Sequence, residues 1–92
     1  MRVTLTSYLA EYIGTVFFIL IILASGGNAI AIGIALATIV FLIGQVSGAS
    51  VNPAVSLSYY LNGMITSTNL FVYVLVQFLG GVTAYYAYKS LY

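Results

Sequence analysis

The sequence contains no histidine and no cysteine, and its 92 residues include one acidic side chain and two basic ones. Without thiol or imidazole there are no disulfides and none of the ligands that hold most transition metals. Glu11 is the sole carboxylic side chain, so no two carboxylates of one chain can divide general-acid and general-base work. Enzymatic function is therefore not expected, and neither is a cofactor. A formal net charge of +1 without any basic cluster leaves nucleic-acid and polybasic-lipid recognition nothing to rest on. Charge is scarce altogether, at 3% of residues, where a soluble domain carries about 25%. None occurs between residues 12 and 88. What fills the chain is apolar: 63% hydrophobic residues and a mean hydropathy of +1.17, the composition of an integral, multi-pass membrane protein.

A spanning helix takes about 20 mainly apolar residues. Three stretches meet that length, at about residues 8–24, 29–46 and 70–89. The first ends in the turn-like Ser25-Gly26-Gly27-Asn28, and the polar run Thr66-Ser67-Thr68-Asn69 precedes the third, with Asn69 expected as its N-cap. Between the second and third spans lies a segment, about 47–62, that holds the only proline. Pro53 suits the first position of a helix and Asn52 its N-cap, so a short helix is expected to run from Pro53 to about Leu61 and stop at Asn62-Gly63. Nine residues rise only about 13 to 14 Å, close to half the hydrocarbon thickness. Irregular backbone at that depth is tolerated where protein buries it or where it lines water. Two readings follow from spacing alone: a re-entrant half-helix that lines something wet, or a plain surface loop between two spans.

Three motifs bear on that choice. The stretches AEYIGT at 10–15, SGASVNPAV at 47–55 and VQFLGG at 76–81 resemble, in order and spacing, the first half of an aquaporin/glycerol-facilitator (major intrinsic protein) chain. The resemblance covers nearly all of the 92 residues. It implies an all-α membrane fold of three transmembrane helices plus one re-entrant half-helix, one half of an inverted repeat, forming a single domain over 1–92. It also implies a passive channel for water or small neutral solutes of about glycerol size. The Asn-Pro-Ala motif, Asn52, Pro53 and Ala54, would sit at the pore centre. Glu11, with Gln77, Ser47 and Gly48, would brace the re-entrant loop, and the narrow filter would fall on Ile32, Val40, Ala49 and Val55. Two departures stand out: the resemblance reaches only one half, and Ser50 occupies a position where the family often has His.

The physics of the motif agrees with this. A helix start carries about +0.5 of a charge, and aiming it at the midplane makes that point hostile to cations. Asn52 can accept from half-helix N–H groups while its NH2 donates into a lumen. One half-helix reaches only the middle, so a continuous lumen needs a second one from the opposite side. Arg2 and Lys89 lie at opposite ends, and three spans place those ends on opposite faces, which leaves almost no charge bias to fix orientation. The expected partner is therefore a second, oppositely oriented copy in an antiparallel homodimer, and the family resemblance implies four such pairs, eight chains. The alternative is a separate chain supplying the second half.

Other features admit simpler uses. The small residues Ala10 and Gly14, Gly33 and Ala37, Gly44 and Gly48, and Gly80 and Ala84 stand four apart and are expected to allow close helix contacts. Tyr8, Tyr12, Tyr59, Tyr60, Tyr85, Tyr86, Tyr88 and Tyr92 are expected as membrane-interface anchors. Glu11 can also be read as an acid near the surface that water solvates, and Gln77 as a bond between helices. Two further readings are a signal peptide cleaved near Ala24-Ser25-Gly26, and a holin-like or structural small membrane protein, which would have no need of Asn52-Pro53.

Overall fold

The computed structural model describes residues 1–92 as four helices with no strand. Helices α1 (Leu5–Ala24), α2 (Ala29–Ser47) and α4 (Ser67–Leu91) are each long and apolar enough to cross a membrane. The short α3 (Pro53–Leu61) has nine residues. The longest dimension of the molecule is 39 Å. Local chemistry sets the ends. Thr4 N–H donates to Ser7 Oγ at the start of α1, and Asn28 caps α2 by accepting from Ala31 N–H at 3.0 Å. Gly48, at φ 86°, closes α2 in a left-handed conformation that glycine adopts without steric cost. Helix α4 opens earlier than the hydropathy suggests. Thr66, not Asn69, is its N-cap, and the two form a capping box: Thr66 Oγ1 accepts from Asn69 N–H while Asn69 Oδ1 accepts from Thr66 N–H.

Helix α1 packs against both α2 and α4, and α3 packs against α4, but α2 and α4 do not pack side by side and meet where the Tyr73 hydroxyl reaches the Ser47 carbonyl. The bundle is therefore open on one side. Its burial is inverted relative to a soluble domain: Ser7, Glu11, Thr15, Ser47, Ser50, Ser56 and Gln77 are buried, while Phe41, Phe71, Leu5 and Ile30 are exposed. Burying polar groups and exposing apolar ones is favourable only where lipid replaces water outside. Gly80 sits where α4 lies close against α1, and a Cβ there would come within 3.0 Å of Thr15 Cβ and 3.1 Å of the Tyr12 carbonyl oxygen. Gly14 likewise lets Ile43 and Val51 close on α1. Gly33 and Gly44, expected as packing positions, meet no other element of this chain, because both lie on α2 where no second helix covers it.

Candidate functional site

Glu11 is fully buried, and five donors converge on its carboxylate. Ser47 Oγ donates to Oε2 at 2.6 Å and Ser50 N–H to the same oxygen at 3.1 Å. Val51 N–H, Ser50 Oγ and Gln77 Nε2 donate to Oε1 at 2.8, 3.0 and 3.0 Å. The reading of Glu11 as a solvated surface acid is excluded by this burial. A second layer holds the first: Gln77 Nε2 also donates to Ser56 Oγ at 2.7 Å, and Ser56 and Ser50 share a hydrogen bond of 2.8 Å. Helix periodicity places these partners. Ser7, Glu11 and Thr15 fall on one face of α1, and Tyr73, Gln77, Gly80 and Ala84 on one face of α4.

The segment between Ser47 and Pro53 is irregular, and its backbone is divided by function. The N–H groups of Gly48, Ala49, Ser50 and Val51 are all taken, by Gly44 O, Ser47 Oγ and the Glu11 carboxylate. The carbonyls of Ser47 and Gly48 accept from the Tyr73 and Tyr59 hydroxyls at 2.7 and 2.9 Å. The carbonyls of Ala49, Ser50 and Val51 have no partner in the chain. Ala49 and Val51 are held at φ 48° and 42°. For a β-branched residue that conformation is an outlier costing about 1–3 kcal/mol, and the Glu11 hydrogen bonds offset it. Helix α3 then starts with Asn52, whose Oδ1 accepts from Ala54 N–H at 2.8 Å, and Pro53 at its first position. Asn52 is exposed, and its Nδ2 and the Val55 N–H stay unpaired.

The remaining expected site residues are distributed differently. Val40 is exposed on α2, and Ile32 and Val55 are partly exposed. The Ala49 side chain is enclosed with Ile39 and Val51, so this position has only its backbone to offer to a lumen. None of the four lines either of the two grooves of the single chain. Of the tyrosines, Tyr8, Tyr12 and Tyr59 spend their hydroxyls within the fold, on Asn69, Thr83 and Gly48. Sequence reading passed over Ser56 and Tyr73. Tyr73 stands four residues before Gln77, so counting helical turns back from the one mid-span amide would have pointed to it.

The family model described as major intrinsic protein matches residues 2–92. The chain is 34% identical over 84 residues to the lens fiber major intrinsic protein of Rattus norvegicus, covering 79% of this chain and 32% of that protein. It is 33% identical to the lens fiber major intrinsic protein of Gallus gallus, with 80% and 32% covered. It is 30% identical over 91 residues to the glycerol uptake facilitator protein-like 6 of Lactiplantibacillus plantarum, with 90% and 42% covered. The chain thus spans less than half the length of each of these relatives. With a match running from residue 2 to residue 92, over three membrane-length helices and a short fourth that starts at Asn52-Pro53, the chain belongs to the major intrinsic protein family.

Proposed function

We propose that this chain forms one half of a passive pore for water and small neutral solutes of about glycerol size, and that an oppositely oriented second copy completes the pore. The observation that carries the reading is the partition of the 48–52 backbone. The N–H groups of Ala49, Ser50 and Val51 turn inward to Ser47 Oγ and Glu11, while three successive carbonyls and the Asn52 Nδ2 are left unpaired at the start of a helix only nine residues long. A row of acceptors followed by a donor can exchange hydrogen bonds with a neutral solute in passing. It cannot replace the hydration shell of an ion, and the positive helix start opposes cations. The name of the Lactiplantibacillus plantarum relative supports a solute of glycerol size.

In this pore Asn52, Pro53 and Ala54 of both copies meet near the midplane, and Glu11, Ser47, Gly48 and Gln77 brace each loop. The constriction is formed by Ile32 of one copy with Val40, Val55 and the Ala49 backbone of the other, repeated at the second mouth. Four such pairs, eight chains, make the assembly. Asn52→Asp tests the lumen placement. It keeps the cap but replaces the NH2 donors with a carboxylate at the positive centre. Reconstituted in liposomes, it is expected to leak cations while neutral flux falls. Unchanged flux and unchanged ion leakage would remove Asn52 from the path.

A further inference from the structure

The hydrogen-bonding groups around the re-entrant loop are sorted by sign. Every hydroxyl packed against the loop is spent inside the fold: Ser47 and Ser50 on Glu11, Ser56 on Ser50, and Tyr59 and Tyr73 on the carbonyls of Gly48 and Ser47. The Gln77 Nε2 hydrogens are spent as well, on Glu11 and Ser56. What stays unpaired is a run of acceptors, the carbonyls of Ala49, Ser50 and Val51, followed at the start of α3 by the donors Asn52 Nδ2 and Val55 N–H. The side chains assigned to the constriction add nothing of either sign. Ile32, Val40 and Val55 carry no hydrogen-bonding side-chain atom, and no cationic side chain occurs between residues 12 and 88.

Such a lining treats neutral solutes unequally. A carbonyl oxygen accepts and never donates, so along the row a solute keeps hydrogen bonds only through its own N–H and O–H groups. An acceptor atom entering the row sheds its water and faces like dipoles until it reaches Asn52, and that loss goes uncompensated. We propose that the pore selects solutes by hydrogen-bond sign: neutral molecules rich in N–H or O–H donors pass, and neutral molecules of similar size that only accept are held back. This rests on the two-copy pore proposed above, in which the row faces the lumen. Two-fold symmetry leaves neither mouth exempt, because each copy presents the same row on its own side. Water and glycerol both donate and accept, so both remain within the class that passes.

The test compares solutes on the full chain in liposomes, with the rates of protein-free liposomes subtracted. Urea, rich in N–H donors, represents the first class. Trimethylamine N-oxide, neutral overall with a strong acceptor and no donor, represents the second, and glycerol is the size control. In swelling assays urea and glycerol are expected to pass. Trimethylamine N-oxide is expected to pass at least about tenfold more slowly than urea, the factor given by one lost hydrogen bond of about 1.4 kcal/mol. Val55→Gln places a neutral side-chain donor beside the row, and is expected to narrow that ratio at least about threefold, with water flux on the same vesicles reporting assembly. Glycerol flux with urea no faster than trimethylamine N-oxide overturns the selectivity and leaves the pore standing. An unchanged ratio in water-conducting Val55→Gln vesicles overturns the shortage of donors as its cause. Should Val55→Gln conduct no water, the ratio of the unmodified chain decides alone. No flux of water or of any of the three solutes through the unmodified chain overturns the pore reading and the selectivity with it.

Discussion

At the residue scale the molecule turns on Glu11. An acid within a span costs about 2.5 to 3.5 kcal/mol on insertion scales. Here that cost is offset by five donors, since a hydrogen bond to a charged group contributes about 1.5 to 3 kcal/mol. Glu11→Gln replaces one acceptor oxygen with an NH2 that faces other donors. It is expected to cost about 3 kcal/mol of stability. The loop should open first, so protease nicking near Gly48 should rise and flux fall while helix content by circular dichroism is kept. A folded loop resistant to protease would show that the carboxylate is not its anchor. Glu11 was conspicuous in the sequence as the only acid. Ser56 and Tyr73 were not, because serine and tyrosine occur throughout the chain and only the register of the packed helices singles them out.

At the element scale the short α3 is what distinguishes this chain from a plain three-span protein. Asn52 and Pro53 marked its start in the sequence because capping and the missing N–H of proline are local properties. The start of α4 was misjudged for the complementary reason. Thr66 and Asn69 cap reciprocally, which lets polar residues occupy the first turn of a helix that hydropathy would begin later. The openness of the bundle was not legible, since nothing in the spacing of Gly33 and Gly44 says that α2 lacks a second neighbour. Two predictions belong here. Gly80→Val drives a side chain into Thr15 and the Tyr12 carbonyl, and should destabilise the α1 and α4 contact by about 1–3 kcal/mol, read from unfolding in detergent. Val55→Arg puts a bulky cation at the proposed constriction, and should cut glycerol flux more than water flux. Equal losses, or none, in an assembled variant would move the filter elsewhere.

At the scale of the whole molecule, the two cationic side chains lie at opposite ends of the chain, and the proposed antiparallel pair requires insertion without a preferred direction. Tyr92→Cys, at an exposed position, is expected to react with an impermeant thiol reagent from both sides of the membrane at comparable yield. Three lysines inserted after Arg2 should fix one orientation and abolish flux, and co-expression with an oppositely biased variant should restore it. One-sided labelling of an active preparation would contradict the antiparallel pair. The most direct measurement is osmotic swelling of liposomes that contain this purified chain and no other protein, followed with water and with glycerol gradients. Swelling faster than in protein-free liposomes, without proton or potassium leakage, is the expected result. No flux until a different chain is added would contradict the account.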